Sequence, residues 1–434
     1  MSTGPLPGFR DFYPEQYAER AFIQTTWRTV AARYGLSEYD GPPLESTELY
    51  TRKSGDEIVG QLYNFTDKGG REITLRPEMT PTLARMVSAR ANALPKPVRW
   101  FAIPQLFRYE RAQRGRLREH FQLNVDIVGE ADVRADAELV ACAVDMLRGF
   151  GLTHDDIVVR FSDRRVLNAL LKHFVIVPEQ YAAVYAVFDK IHRTPPATSK
   201  ERLVAAGVAL NAADQLIELA QHGTVAGEVI QDFGERVGLS EIATLVRYQQ
   251  EVGALLGDGS DKWLTLDLSI VRGLAYYTGI VFEIFDRKGE LRAVCGGGRY
   301  DGLLAAIGGA DLPALGFGMG DVVLAELLRD RGLMPTVLPT LDYWVAGDDA
   351  AIQYVLQVAG RLRRKGHRVE YALRAQSLNA QLKAADRAQA RFFAIVRADM
   401  SANERILVRR LADGVEQVMG IEQLVDAPPG FFFS

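Results

Sequence analysis

The sequence predicts an α+β protein: an antiparallel sheet with flanking helices, interrupted by a helical insertion and followed by a smaller α/β domain. Three observations lead there. Segments that alternate apolar and polar residues pair across turn signals on both sides of a long run with helical spacing only. That run, from about 165 to 250, holds no strand of comparable strength. Beyond a proline-bearing linker, strand and helix patterns alternate one for one.

After a start rich in Pro and Gly, residues 14–34 carry apolar and aromatic positions at helical spacing. The extended segment GLSEYDGPPLE follows and is stopped by Pro42 and Pro43. LYNFTDKGGREITL reads as a hairpin turning at Lys68-Gly69-Gly70, which feeds a helix beginning near Pro81 and leaves Glu78 and Thr80 at a strand end. VRWFAIPQLFRYE and REHFQLNVDIVGE alternate as two antiparallel strands joined by an arginine-rich loop, and residues 135–150 form the next helix. VLNALLKHF, EQYAAVYAVFDKI, AADQLIELAQ and EIATLVRYQQEVGALL supply the helices of the insertion. Strands return at WLTLDLSIVRGLAYYTGIVFEIF and LRAVCGGGRYDGLL, and a helix starts near Asp321. The linker GLMPTVLPTLD marks a domain boundary. The expected divisions are 1–164 and 251–332 for two parts of one domain, 165–250 for the insertion, and 336–434 for the last domain.

A chain of 434 residues with 48% hydrophobic and 24% charged content can bury a sizeable core, and its net charge of −4 does not by itself advertise nucleic acid. Only Cys142 and Cys295 are present, at no metal-ligand spacing. This argues for a reducing compartment and against both a disulfide scaffold and a protein-held metal centre. No apolar stretch approaches the roughly 20 residues of a membrane span, and the start MSTGPLPGFRDFYPEQ has no signal-peptide pattern. A cytoplasmic protein without membrane contact is the expectation.

The most informative run is FRYERAQRGRLREHFQ at 107–122. Arg108, Arg111, Arg114, Arg116 and Arg118 lie with Glu110 and Glu119 around a glycine, with Arg99 upstream. Arginine grips phosphate through a planar, permanently charged fork, so such a cluster suits a polyanion held for chemistry; a solvated hairpin is the plainer alternative. FRYE, a loop containing RGR, then RE and Gln122 resemble motif 2 of class II aminoacyl-tRNA synthetases, in the form found in the histidyl-tRNA synthetase family. The resemblance runs from GFRDFYP through TLRPEMTP, SIVRGLAYYTG and GGGRYDGLL to a motif 3 at ALGFGMGDVVLAELL, and the last domain resembles an anticodon-binding domain. Motifs 1 and 2 then fall in the first part of the catalytic domain, the histidine-specific motif and motif 3 in the second.

What the resemblance implies is activation of L-histidine with ATP and Mg²⁺, then transfer to tRNA(His), by a homodimer whose motif 1 segment, ending at Gly41-Pro42-Pro43, packs across the two-fold. Arg108 and Arg272 would stabilise the α-phosphate. Glu110, Arg116 and His120 would meet the nucleotide, Glu110 by holding Mg²⁺ or orienting the adenine amino group, with a salt bridge inside the hairpin as its plainer alternative, and Arg116 could instead meet the acceptor end of the tRNA. Glu78 and Thr80 would hold the amino group of histidine. Gln122 and Asp126 would face its ring from one side of a strand, since even spacing preserves the face. Tyr276 and Tyr277 would complete the pocket, although adjacent tyrosines in a strand are also ordinary half-buried sheet residues. The glycine run at 296–298 would let backbone approach the ligand.

The chain departs from the family pattern in places. Val323 stands where an arginine usually stacks on adenine and touches the γ-phosphate, Ala275 replaces an aspartate, and His120-Phe121 reverses the commoner order. Asp126 stands where many bacterial relatives have glutamate. Arg292 or Arg287 could reach over the adenine instead. The alternative is a non-aminoacylating paralogue such as an ATP phosphoribosyltransferase regulatory subunit; these typically lose the motif 2 and histidine-specific arginines and the last domain, all of which this chain keeps.

Overall fold

The computed structural model describes residues 3–51, 60–111, 113–221, 240–271, 277–335, 341–397 and 404–426. The chain divides into two compact units, Met1–Pro335 and Thr336–Ser434.

In the first unit the strands are β1 (Ser37–Glu38), β2 (Leu44–Ser46), β3 (Tyr63–Thr66), β4 (Glu72–Leu75), β5 (Val98–Ala102), β6 (Gln105–Phe107) and β7 (Glu119–Val128). They continue with β8 (Ile157–Asp163), β9 (Leu264–Leu266), β10 (Ile280–Asp286), β11 (Cys295–Arg299) and β12 (Ala314–Gly320). Nine of these form one sheet in the order β1-β5-β7-β12-β11-β10-β8-β9, with β6 laid against β7. Every pairing is antiparallel except β1 with β5 and β8 with β9. The α+β expectation is borne out, and β2, β4 and β3 make a separate small sheet.

The core lies behind the large sheet, where the helix Val133–Arg148 is buried along most of its length and packs across β7, β11 and β12. It starts there because the Asp132 carboxylate accepts the Arg134 amide at 2.9 Å, an N-cap. One buried ion pair pins this helix to the sheet: Arg299 at the end of β11 meets Asp136, and each side chain is only 5% exposed. The insertion is helical as expected, with helices Arg164–His173, Pro178–Phe188, Pro196–Ala205, Leu210–Gln221 and Ser240–Leu256; the last packs against Val133–Arg148. Among the described residues no helix is long and apolar enough to cross a membrane.

The structure corrects several local expectations. The turn at Lys68-Gly69-Gly70 is present, with Asp67 accepting the Gly69 and Arg71 amides, but β4 ends at Leu75. Glu78 therefore lies in a connecting segment, and Thr80 opens the helix Thr80–Ala89 instead of closing a strand. Pro77 has no amide proton for a ladder and Pro81 pre-sets helical φ, which explains both limits. The strand expected through VRWFAIPQLF is cut at Ile103-Pro104 into β5 and β6. Of the run from Trp263 to Phe285, only β9 and β10 are strand among the described residues. A Cβ on Gly297 or Gly298 would run into β12 or β10, so at these two glycines the close approach is between strands.

The second unit has β13 (Tyr343–Ala346), β14 (Val369–Glu370), β15 (Phe392–Ile395), β16 (Arg405–Arg410) and β17 (Glu416–Gly420), in the order β14-β13-β15-β16-β17. Helices Ile352–Arg364 and Leu378–Arg387 supply the alternation read from the sequence, and Val345, Val355, Leu362 and Phe392 sit in its core.

Candidate active site

β6 and β7 pair antiparallel, and the Arg108 amide donates to the Arg118 carbonyl at 2.9 Å, so the loop between them springs from a rigid base. The loop closes through a Gln113–Arg116 bridge and turns at Gly115, whose φ of +71° is one that a side chain would strain. Contiguity on this hairpin delivers Arg108, Glu110, Arg116 and His120 to the wall of one cavity of about 800 Å³. Arg116 pairs with Glu110. Arg108 donates from Nε to the Pro77 carbonyl at 2.9 Å, which ties the cavity to the segment bearing Glu78 and, among the described residues, leaves its terminal nitrogens for an anion. Burial, with Arg108 and Arg10 nearby, pushes the His120 pKa down to about 3. His120 is thus a neutral hydrogen-bonding ring at pH 7, not a cation competing for phosphate.

Deeper on β7, Gln122 and Asp126 project over the same face. A Cβ on Gly318 would collide with the Gln122 amide and one on Gly316 with the Asp126 carboxylate, so the glycines of β12 make the room in which both lie. Asp126 is buried and accepts the Tyr300 hydroxyl. Desolvation nonetheless raises its pKa to about 7. The Tyr277 ring meets Tyr300 edge-on, centroids 6.5 Å apart. Glu78, Thr80, Gln122 and Tyr277 are half-buried, and none of these four, nor Asp126, lines the large cavity. Arg272 and Tyr276 lie outside the described residues.

The Asp126 carboxyl makes a testable contribution to pH dependence. Between its ordinary value of 3.8 and about 7 the folded chain keeps a proton that the unfolded chain has released, so wild-type stability falls as pH rises through that window. Denaturant unfolding of Asp126→Asn against wild type should show the variant gaining relative stability from about pH 4 to about 7 and no further gain above. A pH-independent difference would place the Asp126 proton elsewhere.

The sequence reading passed over Arg10. Its Nε donates to Glu119 at 2.7 Å and its Nη1 to Asp321 at 3.0 Å, while Asp321 also accepts the Phe121 amide at 3.0 Å. Glu119 and Asp321 are nearly fully buried, so this N-terminal arginine fastens the start of β7 to the helix Asp321–Asp330. Gly8, at φ +85°, brings the strap in by accepting the Arg118 amide. GFRDFYP was visible in the sequence, but nothing local pairs Arg10 with a residue more than three hundred positions away. Arg160, Lys190, His192 and Arg193, which add further cationic and polar groups to the cavity wall, were likewise unmarked.

A family model described as Histidyl-tRNA synthetase matches residues 8–321. The chain belongs to the histidyl-tRNA synthetase family. A second model, Anticodon binding domain, matches residues 337–427. Similar chains include the Histidine--tRNA ligase of Opitutus terrae, 42% identical over 431 residues and 98% of each chain. That of Haloarcula marismortui is 41% identical over 418 residues, covering 95% of this chain and 94% of the relative. Among solved structures, histidyl-tRNA synthetase from a Nostoc species superposes with a TM-score of 0.83 over 98% of both chains at 23% identity, a likeness of fold.

Proposed function

We propose that the chain is a histidine–tRNA ligase, which joins L-histidine to ATP as histidyl-adenylate and then passes it to tRNA(His). The observation that carries this reading is the pairing of two neighbouring sites on β7: a cationic cavity at its start and a polar recess over the β12 glycines further along. In the first step a histidine carboxylate oxygen bonds to the α-phosphorus and pyrophosphate leaves. Arg108, with Arg272 from the histidine-specific motif, would offset charge on that phosphorus. Glu110, Arg116 and His120 would meet the nucleotide. Glu78 and Thr80 would hold the amino group, with Gln122, Asp126, Tyr276 and Tyr277 around the ring. With a pKa of about 7, Asp126 can accept from an imidazole N–H at neutral pH.

Among the described residues no three His, Cys, Asp or Glu side chains converge as a metal cage. Magnesium keeps its waters and binds through substrate phosphates with one or two carboxylates. Glu110 on the cavity wall fits that need, and the ion would neutralise phosphate charge. Retention of Arg108 and Arg116 together with the last domain favours the ligase over a regulatory paralogue. A cytoplasmic homodimer is the accompanying reading, supported by two buried free thiols and by the motif 1 segment.

Histidine-dependent ATP–pyrophosphate exchange on the purified chain, followed by charging of total tRNA in the same tube, tests the proposal. Exchange and charging with histidine alone among the amino acids is the expected result; histidine binding without exchange would refute it.

A further inference from the structure

The cavity wall contains Val323 where the family pattern provides a cation, and the surroundings of that valine show what has taken its place. A Cβ built on Gly115, at the tip of the motif 2 loop, would lie 3.3 Å from Cγ2 of Val323 and 3.8 Å from Cδ of Arg292. The loop thus rests on the valine, and the stem of Arg292 runs alongside on the same glycine. Arg292 is exposed, lines the cavity, and among the described residues makes no hydrogen bond or ion pair. Among the described residues its guanidinium is therefore uncommitted.

The other cations near the cavity differ. Arg108 is aimed by the Pro77 carbonyl and is already assigned to the α-phosphate, Arg116 pairs with Glu110, and Arg160 lies 3.5 Å from Asp267. Lys190 and Arg193 line the cavity from the helical insertion, whereas Arg292 alone of these shares the Gly115 contact with Val323. Arg287, on the same hairpin as Arg292, is spent elsewhere: it donates to the His154 and Lys262 carbonyls, the second at 2.8 Å.

We infer that Arg292 is a further ATP-binding cation of this chain beside those of the motif 2 hairpin, reaching from the segment between β10 and β11 to cover the nucleotide and meet its terminal phosphates in place of a motif 3 arginine. The assignment rests on the proposed use of ATP. A planar guanidinium can stack on a purine and fork onto phosphate at once, which a lysine or a valine cannot. Moving the cation from a helix to a connecting segment keeps the charge while letting the motif 2 loop settle directly on Val323.

Full-length Arg292→Ala, Arg292→Lys and Arg287→Ala should be compared with wild type in histidine-dependent ATP–pyrophosphate exchange, with separate KM values for ATP and histidine. The expected result for Arg292→Ala is a rise in KM for ATP of roughly ten- to hundredfold with KM for histidine unchanged. Arg292→Lys should recover part of the loss and Arg287→Ala none should show. Arg292 is exposed, so a fold defect is not expected, and an unchanged melting curve will confirm it. An ATP KM within twofold of wild type for Arg292→Ala, or equal losses for ATP and histidine, overturns the inference. A wild-type chain without exchange activity overturns it too, and marks the failure as that of the ligase reading.

Discussion

Replacing Arg108 by alanine should lower the rate of histidyl-adenylate formation by roughly a hundred- to a thousandfold, the scale of losing one preorganised charge donor at a reacting centre. Arg108 sits at the base of a paired hairpin, and its Nε bond to the Pro77 carbonyl fixes the direction of the guanidinium before any ligand arrives. The loss should therefore fall on kcat in pyrophosphate exchange, with less change in KM for histidine. Arg108→Lys should recover little, because an ammonium cannot hold the Pro77 carbonyl and an anion in the same plane. Arg272→Ala, outside the described residues, should fall at least a hundredfold if it shares the α-phosphate. Single-turnover adenylate formation separates these effects from product release, and near-normal rates for either variant would remove that arginine from the mechanism.

Arg299→Ala should unfold the first unit at markedly lower denaturant, by about 3–5 kcal/mol, because it leaves the Asp136 carboxylate buried without its partner. Burial already raises the Asp136 pKa to about 6, even with Arg299 beside it. The variant can relieve itself by keeping a proton on Asp136, so its deficit should shrink as pH falls. Arg299→Ala/Asp136→Leu should recover much of the stability, since exchanging a buried pair for apolar groups is often neutral. Urea titration of all three chains decides it, and a single-variant loss below about 1 kcal/mol would show the pair to be solvated.

How far the site was legible depended on sequence distance. Arg108, Glu110, Arg116 and His120 occupy one hairpin, so strand pairing keeps them close, while their shared role was implied by the family resemblance. Gln122 and Asp126 could be put on one face because a strand repeats every two residues. Glu78 and Thr80 were expected at a strand end, but Pro77 stops the ladder after Leu75 and Thr80 opens the next helix. Tyr300 donating to Asp126 and Arg10 bridging Glu119 to Asp321 could not be read, because such bonds exist only once the sheet order brings distant segments together. Arg287 and Arg292 looked equivalent on paper; only folding shows one engaged with backbone carbonyls and the other open.

The glycines of β12 bear on how amino-acid choice could change. Gly316 and Gly318 touch no substrate in the proposed scheme, yet a methyl on either would displace the carboxylate or amide that defines the recess. In that scheme selectivity would be stored partly as absent atoms on a neighbouring strand. Anyone redesigning the enzyme for another amino acid by exchanging only Gln122 and Asp126 would be furnishing a room whose dimensions are set next door, and the two strands would have to be rewritten together.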